Sequence, residues 1–493
     1  MPLSNRSLRL AGAALAALTL AACATAGPDF RAPAEPKGAA AAGYAMEGDP
    51  SATVARLDPD ARLGGAWWRA FGSDDLDRTI RQALADSPTL AEARATLERA
   101  QAEAAAARGG QRPQVDASAS AQRERINTSS FGFSGFPSPT INLYQVGASV
   151  SYDLDLFGGR RRATERAEAR AEQAAREADA AYLTLSANIA AQAMRVAGLR
   201  AQLAAVEAVL ADDRRIADMV ARAQAAGGEA PSATTGVQAQ LAEDEALVPP
   251  LQRQLALARH QLALLVGKSP AEWAAPDFEL ADFTLPGEVP VSLPSQLVRH
   301  RPDILAAEAE LHAATAAIGV AAAAQYPDLR LSASLTQGAI KPESLFNYSA
   351  SGWSLLSGVT APIFHGGTLK AQRKAAEAEA RASLARYQQT VLRAFVQVSD
   401  VLAALGADQD QIAAQTRARD AALANLKDAE TAYRLGGGTL MQLTDAQRQL
   451  ARARRGLAEA EAQRYADFVQ LYAATAAADW RNAYPLEGAA PAG

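Results

Sequence analysis

The chain has 493 residues, with 49 Lys and Arg against 54 Asp and Glu, one cysteine, four histidines and 6% aromatics. Alanine supplies about a quarter of it, far above ordinary usage, leaving few large side chains for the several compact cores this length would otherwise allow. One cysteine excludes a disulfide framework or a Cys-based metal centre within the chain, and a formal charge of −5 lacks the basic footprint of a nucleic-acid binder.

Arg6 and Arg9 precede an apolar run from Leu10 to Leu20, the order of a secretory signal peptide over residues 1–22. That run is shorter than the roughly 20 residues a spanning helix needs. It ends in Leu20-Ala21-Ala22-Cys23, which resembles a bacterial lipobox. The resemblance implies cleavage before Cys23 and its acylation with chains such as palmitate, a firm anchor at roughly 0.8 kcal/mol per buried CH₂. Ala24 stands where an inner-membrane retention signal would carry Asp, which favours the outer membrane. Residues 23–65 contain a Pro-, Gly- and Ala-rich stretch and read as a lipidated tether. Beyond it, the best apolar stretch, Ala313 to Ala324, is short and mostly alanine. Any further membrane contact is therefore expected to be a β-barrel.

The rest of the chain is written twice. Pro88-Thr89-Leu90 answers Pro302-Asp303-Ile304, and Pro113-Gln114-Val115 answers Pro327-Asp328-Leu329, at one offset of 214 residues. Gly227-Gly228 answers Gly436-Gly437 at an offset of 209. The expected organisation is a first repeat over 66–266, a Pro-rich equatorial linker over 267–300, a second repeat over 301–480 and a tail over 481–493. Each repeat reads helix, strand, strand, very long helix, helix.

Even positions from Tyr144 to Leu156 are apolar and the odd ones between them small or polar. That is period 2 over a length well beyond an ordinary soluble strand. Val115 to Ala121, Leu329 to Leu335 and Trp353 to Ile363 repeat the alternation. Long strands with one apolar and one polar face suit a membrane barrel. Four strands cannot close one alone, since about eight is the practical minimum, so two or more chains must combine. Two further stretches, Arg160 to Ala226 and Thr368 to Leu435, have no proline and almost no glycine. Each spans roughly 100 Å if helical throughout. Their apolar residues, such as Tyr182, Leu185, Ile189 and Val196, or Leu384, Tyr387, Val391 and Val398, step by three and four as in coiled coils. Each ends at glycines suited to a helix stop, Gly227-Gly228 and Gly436-Gly437-Gly438.

Motifs for chemistry are missing. Gly267-Lys268-Ser269 has Leu262 where a phosphate-binding loop needs glycine. His260, His300, His312 and His365 are scattered without metal-ligand spacing, and no G-x-S-x-G elbow occurs. Asp74-Asp75 and Asp212-Asp213 read as solvated helix faces. No enzyme, cofactor or metal site is expected.

The strings Trp67-Trp68 with Phe71-Gly72, Leu293-Pro294-Ser295, Arg301-Pro302-Asp303-Ile304, Ile318-Gly319-Val320, Tyr326-Pro327 and Asp445-Ala446-Gln447-Arg448 resemble the outer-membrane factor family. These are the TolC-like channels, and within them the NodT-type efflux lipoproteins. The resemblance implies a mainly α homotrimer, in which a twelve-stranded barrel in the outer membrane continues into a twelve-helix barrel with an equatorial domain. It implies a passive exit duct for drugs or other small molecules, with a periplasmic adaptor and an RND-type inner-membrane transporter as partners. A type I protein-secretion exit and a periplasmic coiled-coil adaptor lipoprotein are the alternatives. By the same resemblance, Tyr433, Met441, Asp445 and Arg448 form the periplasmic gate, with Arg448 the natural partner of Asp445. Gln442 and Gly438 stand where related channels place an acid and a base.

Overall fold

The structure, a computed structural model, describes residues 25–34, 44, 55–57, 66–127, 132, 135, 137–285, 289–291 and 294–475. Cys23, the signal peptide and the tail over 481–493 lie outside the described residues. In chain order the regular elements are β1 (Ala55–Leu57), α1 (Asp74–Asp86), α2 (Pro88–Gly109), β2 (Gln114–Arg125), β3 (Thr140–Asp153), α3 (Gly159–Ala225), α4 (Pro231–Glu245) and α5 (Val248–Val266). They continue with β4 (Val289–Val291), α6 (Pro294–His300), α7 (Pro302–Ala323), β5 (Asp328–Ala339), β6 (Ser351–Thr360), α8 (Thr368–Arg434) and α9 (Leu440–Thr475).

The duplication is visible element by element. α2 and α7 are both 22 residues long and begin with proline, whose fixed φ and missing N–H cost nothing in a first helical turn. α3 and α8 are both 67 residues long. The repeats differ on the return: α9 is one helix of 36 residues, whereas the first repeat breaks into α4 and α5 just before Pro249-Pro250. Proline lacks the N–H that would continue the ladder.

Two compact units share these elements. The first takes residues 96–174 and 307–387 with the described N-terminal residues up to 33; the second takes 34–95, 175–306 and 388 onward. Both units therefore draw on both repeats.

In the first unit, β2, β3, β5 and β6 form one antiparallel sheet in that order. Its register puts one row through Val115, Val150, Ala333 and Leu355 and the adjacent row through Asp116, Ser149, Ser334 and Ser354. The pleat sends these rows to opposite faces, so the alternation read from each strand adds up to one apolar and one polar face. The apolar face is uncovered: Val115 is 70% exposed, Leu355 76% and Trp353 81%. β3 stops at Asp153 rather than running on to Leu156. Asp155 takes φ +44°, and its carboxylate accepts the Arg160 and Arg161 N–H groups at 2.9 Å, opening α3. A residue that caps a helix from a left-handed conformation cannot also extend a strand.

The tether expectation needs one correction. β1 lies within residues 23–65 and pairs in parallel with β4, Ala55 opposite Val289. A further correction concerns hydropathy: 18-residue windows in α7 and α8 reach mean hydropathies of 1.3 and 1.4, enough on length and composition for a spanning helix. Alanine scores as apolar, so an alanine-rich packing helix passes the same threshold.

The second unit is built on the long helices. Ile189, Val196, Val391 and Val398 are fully buried, in line with their spacing. Leu384, of the first unit, is an exception at 37% exposure, with Ser383 buried beside it. Small residues set the helix spacing. A Cβ on Gly198 would stand 2.6 Å from the Ala462 Cβ, whereas one on Gly236 would meet nothing within 4 Å. Ala is the better helix former by up to about 1 kcal/mol, but overpacking costs roughly 1–3 kcal/mol. Gly198→Ala is therefore expected to lower the thermal unfolding midpoint and Gly236→Ala to raise it.

Candidate functional site: the helix tips

Each long helix ends in the same hydrogen-bonded turn. Gly227 and Gly436 take φ +78° and +76°, the left-handed conformation that costs glycine least. The next glycine closes the turn, Gly228 N–H donating to Ala223 O and Gly437 N–H to Ala432 O, each at 2.9 Å. Beneath the turns, α3, α4, α8 and α9 pack through Ile216, Val220, Val237, Leu426, Leu443 and Leu450. This apolar cluster holds the four helices in register near their ends.

The four positions expected to form the gate all lie here, on α8 and α9. Tyr433 joins the two tips: its hydroxyl donates to Glu229 Oε1 at 2.8 Å, and burial first, then that carboxylate, push its pKa up to about 12. Met441 is 79% exposed. Asp445 is exposed and accepts from Gln449 Nε2 at 2.8 Å. Arg448 does not pair with Asp445 within the chain, contrary to expectation. Its Nε donates to Gln240 Oε1 on α4 at 2.7 Å, because one turn of α9 carries the guanidinium over the facing helix.

Gln442 has a local role that its spacing allowed to be read. Thr439 N–H donates to Gln442 Oε1 at 2.9 Å, and Gln442 N–H to Thr439 Oγ1 at 3.3 Å. This is the reciprocal T-x-x-Q capping box that starts a helix. Gly438 gives its place to close packing, since a Cβ there would meet Ala432 Cβ at 3.0 Å.

The expectation that Asp212-Asp213 is a solvated face holds for Asp212 and fails for Asp213. Asp212 bonds Arg215 and Arg454 at 3.0 and 2.7 Å. Asp213 is buried at 3% exposure beside Asp244 at 8%, and neither of its oxygens meets a hydrogen-bond donor among the described residues. A proton shared with the Asp244 carboxylate is what can satisfy both groups. Burial first, then Asp244, push Asp213 up to about 7. A second buried pair joins α8 to α9 through Asp408 and Asp467, each 5% exposed. Asp467 accepts from Gln463 Nε2, while burial and then Asp467 push Asp408 up to about 7. Neither pair was legible from period or motif, because the partners lie on different helices.

A raised native pKa means the folded state holds its proton where the unfolded carboxyl, near 3.9, has released it. Stability is then full at acid pH and is lost as pH rises towards about 7. Asp408→Asn keeps the shape of the protonated acid. It is expected to raise the unfolding midpoint at pH above 7 and leave it unchanged near pH 4, so that the variant and the parent converge on acidification.

Several recognised strings serve the scaffold. Trp67 stacks on Tyr472 at 5.6 Å, while Trp68 Nε1 donates to Asp77 at 2.9 Å. Arg301 donates to Asp303, Ala474 O and Gln397, binding the α6–α7 junction to α8 and α9. Tyr326 stacks on Phe157 at 4.6 Å. Lys268, of the incomplete phosphate motif, pairs with Asp86 at 3.1 Å, and His312 meets Glu165 at 3.0 Å beneath the Phe30 ring. Among the described residues no cluster of three metal-ligating side chains occurs.

A duplicated hairpin and long-helix unit with a two-faced sheet defines a class of outer-membrane export channels, and comparison with known proteins places the chain in it. Residues 79–268 and 293–477 match the family described as outer membrane efflux protein. The chain is 32% identical over 473 residues to the pyoverdine export outer membrane protein OpmQ of Pseudomonas putida, covering 93% of this chain and 95% of that one. It is 33% identical over 462 residues to the antibiotic efflux pump outer membrane protein ArpC of the same species, covering 91% of each. The outer-membrane channel OprN superposes with a TM-score of 0.81 at 28% identity, over 92% of this chain and 98% of that one. This chain belongs to the outer membrane efflux protein family. It is an outer-membrane efflux protein, in a family of transport proteins rather than enzymes, and the periplasmic adaptor alternative falls away.

Proposed function

We propose that three copies of this chain close one twelve-stranded barrel in the outer membrane, continuous with a twelve-helix periplasmic tunnel, and act as the passive exit of a tripartite efflux pump. The four-stranded sheet carries this reading. Among the described residues β2 and β6 each pair on one side only, and the apolar face is exposed. An unpaired strand edge cannot persist in lipid; three sheets joined edge to edge satisfy every edge and give water the polar face. In this arrangement residues 66–266 and 301–480 are the two repeats, 267–300 the equatorial linker, and Cys23 bears the lipid anchor. Tyr433, Met441, Asp445 and Arg448 line the periplasmic gate, and the glycine turns at 227–228 and 436–438 form the tips that meet an adaptor.

Energy comes, in this reading, from an RND-type transporter acting through that adaptor. OpmQ and ArpC carry different cargo names, pyoverdine and antibiotic, which fits a duct whose selectivity lies with its partners. Both names denote small molecules, which favours efflux over protein secretion. Deletion of the gene is expected to sensitise the cell to small-molecule toxicants, and re-expression to restore resistance. Loss of a secreted protein with unchanged sensitivity would reverse the assignment.

A further inference from the structure

We propose that a proton shared between Asp213 and Asp244 is relayed through Gln240 to Arg448, and so makes opening of the periplasmic gate pH-dependent. The inference rests on the gate reading above and extends it to regulation.

The contacts form one line across three helices. Arg448 on α9 donates to Gln240 Oε1 at 2.7 Å. The amide nitrogen of the same Gln240 donates to Asp244 Oδ2 at 2.7 Å. Asp244, on α4, faces Asp213 on α3, where both carboxyl groups are buried. One glutamine thus has its acceptor end on the gate arginine and its donor end on the buried acid pair.

Three neighbouring arginines are engaged by other acids, and Arg448 by Gln240. On α3, Arg214 pairs with Glu245 of α4 at 3.1 Å, and Arg215 with Asp212 and with Glu430 of α8 at 3.0 and 2.7 Å. On α9, Arg454 pairs with Asp212 at 2.7 Å. Among the described residues none of these arginines forms an ion pair with Asp213 or Asp244, so a shared proton is the counter-charge that fits the pair. Burial and the neighbouring acid hold Asp213 at about 7, where a modest change of pH alters its occupancy.

With the proton bound, the pair carries one negative charge and Gln240 holds Arg448 against α4, tying α9 to its neighbour. With the proton lost, two buried carboxylates repel across the α3–α4 contact and displace the Gln240 that holds Arg448. The tie between α9 and α4 then loosens. Alkaline pH therefore favours the open gate.

The test is single-channel recording of the full-length protein in a planar bilayer across about pH 5 to 9. The parent is expected to gain severalfold in open probability with a midpoint near pH 7. Asp213→Asn and Asp244→Asn each leave one neutral amide beside one carboxylate, mimicking the protonated pair. Either is expected to abolish the step and hold the current at its acid level. A step that survives both variants, or one that Asp408→Asn removes instead, overturns the proposal. Arg448→Ala separates the two ideas. If it leaves the current unaltered, the gate reading fails and takes this proposal with it. If it raises the current while the pH step persists in Asp213→Asn, the proposal alone fails.

Discussion

Leu355→Arg is expected to abolish the oligomer, whereas Ser354→Arg, one residue earlier, is expected to leave it assembled. The two positions are consecutive on β6, both exposed. They sit in adjacent rows of the sheet: Leu355 opposite Ala333, Ser354 opposite Ser334. A barrel formed from three such sheets turns the first row to lipid and the second to water. Arginine facing the bilayer midplane costs roughly 2–4 kcal/mol, and threefold symmetry repeats that cost in each copy. Arginine in the lumen keeps its hydration. The readout is the heat-resistant oligomer band in mild detergent, together with recovery in the outer-membrane fraction. Equal behaviour of the two variants would contradict the assignment of faces.

The second large effect falls at the tips. Arg448→Ala is expected to raise single-channel open probability severalfold, and adding Asp445→Asn is expected to bring it back towards the parent value. Three Asp445 carboxylates around a threefold axis, at roughly 6 Å and an effective dielectric near 20, repel by about 3 kcal/mol per pair. In the proposed gate Arg448, three residues on and bonded to Gln240 rather than to Asp445, places a positive charge near that ring. Its hydrogen bond to Gln240 also ties α9 to α4. Alanine removes both effects in the same direction. Neutralising Asp445 removes the repulsion, so the double variant recovers closure if Arg448 acts chiefly as a charge; if the tie to Gln240 dominates, recovery is incomplete.

The architecture was largely legible because long regular elements carry their own period. The strand alternation placed the apolar and polar faces, and the glycine pairs marked the tips to within a residue. Both very long helices end where the glycine signal places them, at Ala225 and Arg434. Local competition was harder to foresee. Asp155 ends β3 because its side chain caps α3, a choice that alternation does not encode. β1 and β4 were missed because three-residue strands more than two hundred residues apart have no measurable period.

At the tips, spacing on one helix proved a poor guide to partnership. Asp445 and Arg448 are three apart, a distance that favours pairing on an isolated helix. Gln240 on a neighbouring helix captures the arginine first. Asp212 and Asp213 are adjacent in the chain, yet one faces arginines and the other a buried acid, because successive helical positions point about 100° apart. The T-x-x-Q box at Thr439 and Gln442 was readable from sequence alone.

The central claim is that one chain supplies a third of a closed barrel. It is tested most directly by the native mass of the protein extracted from outer membranes in mild detergent, measured by light scattering with the detergent contribution subtracted. A mass of three chains is the expected result. A monodisperse monomer or dimer that still conducts in a bilayer would contradict the account.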